Sequence, residues 1–194
     1  MSSDGRSPTR VALLGGSFNP PHLGHQMICL WALSTGEVDE VWLVPCNEHA
    51  FNKGLCPFEH RLEMCRRATL PFRPELVHVD SVERDIGGRS RTLVTLQHLM
   101  ERHPAHAFRL LIGADILQEA DAWYRFDEVK RLAPLLVIGR DGYPSPTGAP
   151  LLPDISSTKI RSALATGESV SQWVPAAVLR YISELGLYRD AGLP

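Results

Sequence analysis

Short apolar runs alternate along the chain with longer segments in which apolar residues recur every three or four positions. The short runs have the length of buried strands, and the longer segments have the spacing of amphipathic helices. Strands are predicted at Val11–Leu14, Val38–Pro45, Leu76–Val79, Phe108–Ile112, Leu135–Ile138 and Leu151–Leu152. Helices are predicted from Leu23 onwards and at about 57–69, 92–103, 126–132, 156–167 and 175–186. A polar loop at 81–90 precedes the helix at 92–103, and Ser90 or Thr92 is its predicted cap. This alternation predicts an α/β protein whose parallel sheet is covered by helices on both faces.

The length and composition fit one globular domain. The chain has 194 residues, of which 44% are hydrophobic, and a formal net charge of −2. We expect the domain to span residues 10–189, between a disordered polar lead-in at 1–9 and a tail at 190–194. No apolar run approaches the roughly 20 residues that cross a bilayer, and the charge balance does not indicate a broad nucleic-acid surface. We therefore expect a cytoplasmic protein with neither a membrane nor a nucleic acid as partner, and a homo-oligomer stays open.

The four cysteines form no C-x-x-C pair. Cys29 and Cys65 lie in helical apolar patterns and are expected in the core. Cys46 and Cys56 flank a predicted loop, where they would form a disulfide, bind a metal or stay free. Cytoplasmic enzymes usually keep such thiols free.

The segment Gly15–His25, between the first predicted strand and the first predicted helix, is the strongest candidate site. Its two glycines let the backbone turn sharply and approach a ligand, and a helix N-terminus attracts phosphate. His22 and His25 are three residues apart and fall on one face of the helix. Neither common phosphate-binding fingerprint is present, which argues against a dinucleotide dehydrogenase or a P-loop NTPase. Three interpretations remain: a phosphate site, an ordinary tight turn, or a metal pair without an evident third ligand.

Two further segments follow predicted strands and are expected at the same edge of the sheet, where open α/β sheets bind ligands. Asp115, just after the fourth strand and Gly113, would either cap the next helix or accept hydrogen bonds from a ribose. Arg161, after the last strand, would join three hydroxyls in a second anion site, or lie solvated beside an ordinary helix cap. The three hydroxyls belong to Ser156, Ser157 and Thr158.

Two weaker candidates lie in predicted loops. Trp123 and Tyr124 are adjacent aromatics that would either stack on a planar ring or form a satellite of the core. His49 and Lys53 lie in the predicted loop 46–57, where they would either contact a phosphate or stay solvated.

Together these segments resemble a known superfamily. Gly15–His25 contains the H-x-G-H motif of one nucleotidyltransferase superfamily, and the later Ile155–Arg161, which reads ISSTKIR, is similar to its second motif. Three intervening segments make the chain similar to the bacterial nicotinate-nucleotide adenylyltransferases over about 11–188. These segments are Arg91–Leu96, Ile112–Leu117 and Trp123–Phe126.

The resemblance implies a Rossmann-like, doubly wound fold and a reaction of ATP, with Mg²⁺ on its phosphates, and a pyridine mononucleotide. The products are the dinucleotide and pyrophosphate, and catalysis rests on positioning and charge stabilisation. It implies that His22, His25 and Arg161 act on the ATP phosphates. The implied ATP-binding residues are Gly15, Gly16, Ser17, Phe18, Gly113, Asp115, Ser156, Ser157 and Thr158. The implied mononucleotide-binding residues are Lys53, Thr92, Trp123 and Tyr124.

The chain departs from its relatives' pattern in three places. Arg91–Thr95 stands where many relatives have Tyr-Thr-x-Asp-Thr, and His49–Lys53 replaces a Pro-Pro-His-Lys loop. Asn19 stands where many relatives have aspartate. The difference at Asn19 is mild, whereas the other two concern the part of the site that selects the mononucleotide.

We expect nicotinate mononucleotide to be preferred over its amide. Backbone N–H groups at Thr92 and Tyr124 would favour the acid, reinforced by Arg89 or Arg91. The alternatives are an adenylyltransferase for nicotinamide mononucleotide or phosphopantetheine, and a nucleotide-binding regulatory module without catalysis.

Overall fold

A computed structural model describes residues 7–48, 55–140, 142–145 and 148–189. Six strands form one sheet in the order β3-β2-β1-β4-β5-β6, and each neighbouring pair is parallel. The strands are β1 (Thr9–Gly16), β2 (Glu40–Pro45), β3 (Val77–Val79), β4 (His106–Gly113), β5 (Leu135–Arg140) and β6 (Leu151–Leu152).

Helices connect the strands and cover both faces of the sheet. They are α1 (Leu23–Ser34), α2 (Phe58–Thr69), α3 (Val82–Ile86), α4 (Thr92–Arg102), a 3-10 helix (Ala114–Ala122), α5 (Phe126–Leu132), α6 (Ser157–Ala165) and α7 (Ala176–Leu185). Within the described ranges, no helix combines the length and the apolar character needed to cross a membrane.

The direction in which successive strands are added to the sheet reverses at its centre. From β1 the chain runs outward to β2 and β3, then returns to the other side of β1 as β4 and continues to β5 and β6. Ligand crevices in open α/β sheets form at such a reversal, beyond the carboxyl ends of the two central strands. The ends of β1 and β4 are therefore the place where the fold itself predicts a site.

The core has three parts. On one face of the sheet, β1 and its neighbours pack against α4 and α5 through residues such as Leu96 and Val129. On the other face they pack against α1 and α2, where Cys29 and Cys65 are buried. A third cluster joins α2 to α6 and α7 away from the sheet. This third cluster fixes α6 beside the carboxyl edge.

The structure confirms the predicted fold and most element positions, with two corrections. The segment 81–90 is not only a loop, because α3 forms where Asp80 Oδ1 accepts a hydrogen bond from the Val82 N–H at 2.7 Å. Neither Ser90 nor Thr92 caps α4, since its cap position is Arg91, which makes no side-chain cap bond. The Ser90 hydroxyl instead accepts a hydrogen bond from the Asn47 N–H at 2.9 Å.

The other sequence predictions concern the start of the domain, the cysteines, and segments of which only part is described. β1 begins at Thr9, one residue before the predicted start of the domain. All four cysteines are free thiols, and burial raises the pKa of Cys29 to about 12. The tail at 190–194, most of the lead-in, and the loop positions His49 and Lys53 lie outside the described residues.

Candidate active site

The turn after β1 is built differently from the sequence prediction. Gly15 and Gly16 are the last residues of β1, and the residue with a left-handed backbone is Phe18, at φ 47°. The prediction that the glycines make the sharp turn was therefore wrong. A Cβ on Gly16 would stand 3.3 Å from the Phe18 ring, so Gly16 makes room for that buried ring. A Cβ on Gly15 would meet nothing within 4 Å, which leaves the backbone there open to a ligand.

The two histidines form one unit at the start of α1. The His22 N–H donates a hydrogen bond to Nδ1 of His25 at 3.1 Å, and the ring centroids are 3.9 Å apart. Because Nδ1 of His25 is the acceptor, its neutral ring carries hydrogen on Nε2. A Cβ on Gly24 would stand 3.0 Å from the His22 ring, which explains the glycine between the histidines.

Both imidazoles are held in the neutral form. Burial, and secondly the charge of Arg140, lower the pKa of His22 to about 4. Burial and the neighbouring His22 and Arg140 hold the pKa of His25 well below its ordinary value. At neutral pH the pair therefore offers N–H donors without carrying positive charge.

Arg140 was not predicted from sequence, yet it lies at the centre of the site. It ends β5, and its Nη1 donates to Asp115 Oδ2 at 2.7 Å. A Cβ on Gly113 would stand 2.3 Å from Asp115 Oδ1 and 2.9 Å from Arg140 Cδ, so this ion pair requires glycine at 113. The signal that could have identified Arg140 is its position at the carboxyl end of the strand beside β4.

A cavity of about 250 Å³ opens beside this ion pair. Asp115 Oδ1 is buried there and, among the described residues, has no hydrogen-bond partner. The cavity is lined by Asp115, Arg140, Tyr143, Pro153 and Asp154. Its unpaired carboxylate oxygen is an acceptor that a hydroxyl of a ligand would satisfy.

The start of α6 is tied to the loop between β1 and α1. The Ser157 hydroxyl donates to the Pro20 carbonyl at 2.9 Å, and Arg161 Nη1 donates to the Asn19 carbonyl at 2.8 Å. Ser156 caps the helix by accepting a hydrogen bond from the Lys159 N–H at 3.2 Å. The structure thus brings the predicted second anion segment beside the first, with part of its hydrogen-bonding capacity used within the protein. Thr158, the third predicted hydroxyl, is exposed.

Asn19 links the same loop to the end of the described chain. Its Oδ1 accepts hydrogen bonds from the Tyr188 hydroxyl at 2.7 Å and from the Cys56 N–H at 3.3 Å. Asn19 is 1% exposed and Tyr188 is 3% exposed. The loop that carries the histidines is therefore held from several sides before any ligand binds.

Of the other candidate residues, Arg91 and Tyr124 contact each other. The Arg91 guanidinium lies over the Tyr124 ring, 4.6 Å from its centroid, and Thr92 begins α4. Trp123 contacts Phe126 edge-on at 5.4 Å between ring centroids and packs against the core. The prediction that Trp123 belongs to the edge of the core is therefore correct for the buried part of its side chain. Tyr124 is half-exposed.

The metal interpretation of the histidine pair has little support in the geometry. In the part of the chain that the structure describes, no three His, Cys, Asp or Glu side chains are arranged to hold a metal ion. The groups that act on the pair are the Phe18 ring and the charge of Arg140, and a cation nearby suits an anionic ligand better than a metal ion.

Comparison with known proteins gives consistent matches over most of the chain. Residues 13–163 match the model of the cytidylyltransferase-like family. A protein of Anaeromyxobacter sp. (strain K) named probable nicotinate-nucleotide adenylyltransferase is 53% identical over 92% of this chain and 96% of its own length. A protein of Myxococcus xanthus with the same name is 44% identical over 94% and 96%.

Solved structures share the fold. A Plasmodium falciparum nicotinic acid mononucleotide adenylyltransferase complexed with NaAD matches with a TM-score of 0.78 and 19% identity. The match covers 93% of this chain and 97% of that one. The same enzyme complexed with APC matches with a TM-score of 0.74. At such low identity, these matches concern the arrangement of the backbone.

Substitution of Gly113 tests the packing beside the ion pair. Gly113→Ala would push a methyl group into Asp115 and Arg140, and overpacking of this kind costs about 1–3 kcal/mol. We expect the free energy of unfolding, measured by denaturant titration, to fall by this amount. The affinity for ATP, measured by isothermal titration calorimetry, should fall as well, because both displaced side chains line the cavity. Ala107→Ser, at an exposed position of the same strand, is the control. Unchanged ATP affinity in a folded Gly113→Ala protein would contradict the argument.

The histidine pair predicts a pH dependence of stability. In the unfolded chain His22 takes up a proton near pH 6.5, whereas in the folded protein it does so only near pH 4. The unfolded state therefore binds more protons between these values, and the free energy of unfolding falls as the pH is lowered through this window, by up to about 3 kcal/mol for His22. Denaturant unfolding across the window, compared between the wild type and His22→Gln, measures this. Equal pH slopes in the two proteins would refute it.

Proposed function

This chain belongs to the cytidylyltransferase-like family and to its nicotinate-nucleotide adenylyltransferases, and we propose that it transfers AMP from ATP to nicotinate mononucleotide. The resemblance seen in the motifs is thereby confirmed. The products would be the deamido form of NAD and pyrophosphate, which makes this a step of NAD biosynthesis. The observation that carries the proposal is the meeting of the neutral histidine pair with the Asp115–Arg140 ion pair at the reversal point of the sheet.

ATP would lie across the ends of β1 and β4. The open backbone at Gly15 allows close approach, and the unpartnered Oδ1 of Asp115 would accept a ribose hydroxyl. The phosphates would lie at the N-terminus of α1, where the positive end of the helix dipole favours an anion. Ser17 and Phe18 would contribute backbone contacts there, with Ser156, Ser157 and Thr158 on the opposite side.

The reaction needs no nucleophile from the protein. A phosphate oxygen of the mononucleotide attacks the α-phosphorus of ATP, the bond from that phosphorus to the bridging oxygen breaks, and pyrophosphate leaves. His22 and Nε2–H of His25 would donate hydrogen bonds to the phosphate oxygens as negative charge shifts. Arg161 would hold the departing pyrophosphate. Such preorganised donors stabilise the transition state without reorganising.

We propose that Mg²⁺ enters with ATP as part of the substrate. The side chains around the turn are imidazole, guanidinium and hydroxyl groups, so the phosphates themselves would supply its ligands. When bound, Mg²⁺ would neutralise charge on those phosphates.

The mononucleotide would bind at the Arg91–Tyr124 side. The exposed part of Trp123 would stack on the pyridine ring, and the free N–H groups at the start of α4, near Thr92, would face the nicotinate carboxylate. Arg91 is held over Tyr124 and would add a positive charge that the neutral amide cannot exploit. Lys53 stays a prediction for this side of the site.

Product formation with the two mononucleotides tests this proposal. Because hydrogen bonds to charged groups contribute about 1.5–3 kcal/mol, kcat/KM for nicotinate mononucleotide should exceed that for the amide by roughly 10- to 100-fold. The assay follows pyrophosphate release with ATP and Mg²⁺, and phosphopantetheine serves as a third acceptor. Equal values, or a preference for either alternative, would contradict the assignment. ATP binding without pyrophosphate release would indicate the regulatory module.

Removal of either histidine tests the charge-stabilising role. His22→Ala or His25→Ala should lower kcat by at least about 10²-fold, the effect of losing one preorganised donor. His98→Ala, on α4, is the matched control and should keep the wild-type rate. A near-wild-type rate in a folded double variant would exclude the role.

A further inference from the structure

Arg61 on α2 is a buried cation that sequence reasoning did not single out. It is 1% exposed, and all of its hydrogen bonds to oxygen go to main-chain carbonyls. Nε donates to Cys56 at 2.8 Å, Nη1 to Ser17 at 3.0 Å and Nη2 to Asn47 at 3.1 Å. One guanidinium therefore joins α2 to Ser17, in the distant turn after β1, and to two residues nearer in sequence, Asn47 and Cys56.

The chemistry of these contacts indicates a specific demand for arginine. A buried charge is costly unless it is well hydrogen-bonded, and here the partners are neutral carbonyl dipoles and the Phe58 ring, 5.4 Å from the guanidinium carbon. Only a planar fork can reach three carbonyls in fixed directions, whereas a lysine ammonium is a compact point charge. A purely space-filling role would be met at lower cost by an apolar side chain.

Two of the three carbonyls connect Arg61 to opposite sides of the site. Ser17 lies in the turn that carries the proposed ATP contacts, and because the peptide unit is planar, fixing its carbonyl fixes the direction of the Phe18 N–H. Asn47 is bonded to the segment that leads into Arg91, on the proposed mononucleotide side of the site. Its Nδ2 donates to the Gly88 carbonyl at 3.1 Å, and its N–H donates to the Ser90 hydroxyl.

We propose that Arg61 is a positioning residue that fixes the ATP-binding turn relative to the mononucleotide side of the site. This inference rests on the proposed function. One side chain sets the geometry of both binding elements, so a variant that loses the fork loses affinity for both substrates. Arg61 touches neither substrate in this scheme, and it acts through the carbonyls that it holds.

The experiment compares Arg61→Lys and Arg61→Gln with two controls on the same helix. Arg66→Gln removes an exposed cation, and Met64→Ala removes buried contacts of the α2–α7 cluster without touching the turn. Steady-state kinetics give kcat and both KM values, calorimetry gives the affinity for ATP alone, and thermal unfolding gives the loss of stability.

We expect Arg61→Lys to lower kcat/KM for both substrates by about 10²-fold, the scale expected for a displacement near 1 Å. ATP affinity measured by calorimetry should fall as well. Met64→Ala should lose at least as much thermal stability as Arg61→Lys and still keep wild-type kinetics. A loss of stability by itself would then not explain the lower kcat/KM of Arg61→Lys.

Three results would overturn the proposal. Wild-type kinetics in Arg61→Lys would show that charge, and not the fork, matters. An equal kinetic loss in Met64→Ala would reduce Arg61 to a stabilising residue. A change confined to one substrate would refute the link between the two sides. If the wild type forms no dinucleotide, the proposed function fails, and the ATP titrations of the Arg61 variants still decide whether Arg61 positions the turn.

Discussion

The pairing of β1 with β2 on one side and β4 on the other is the constraint on which the rest of the molecule depends. Because the chain leaves the central strands in opposite directions, a crevice forms at their carboxyl ends. The histidine pair follows β1, Asp115 follows β4, and Arg140 ends β5. Their proximity is a consequence of strand order, and the local sequences only supply the right groups at these ends.

The charges of the site are divided between two kinds of side chain. The guanidinium groups of Arg61, Arg140 and Arg161 are permanently charged, and each is held by hydrogen bonds within the protein. The imidazoles are buried near Arg140, and this lowers their pKa and keeps them neutral. In the proposed reaction, long-range attraction of phosphate would come from the arginines, whereas the histidines would contribute short, directional donors. This division would keep the attraction for phosphate nearly independent of pH.

The sequence predicted the parts of the molecule that depend on local periodicity. The strands, most helices and the two motifs at the sheet edge follow from apolar spacing and from the rule that ligands bind beyond strand ends. Arg61 was not identified because a charged residue in an amphipathic helix normally faces solvent, and only its tertiary contacts show that it is buried. Arg140 ends an apolar strand, and its pairing with Asp115 depends on which strands are neighbours in the sheet. The roles of His22, Arg161 and Trp123 stay predictions, as does that of Lys53.

The hydrogen bond between Tyr188 and Asn19 joins residues 169 positions apart in the chain. During synthesis the sheet strands and the histidine motif emerge long before this partner exists. The loop that holds His22 acquires its full set of contacts only when α7 has packed on α2 and delivered the tyrosine. A folding chain therefore completes the support of this loop only after it has closed a contact between residues 169 positions apart.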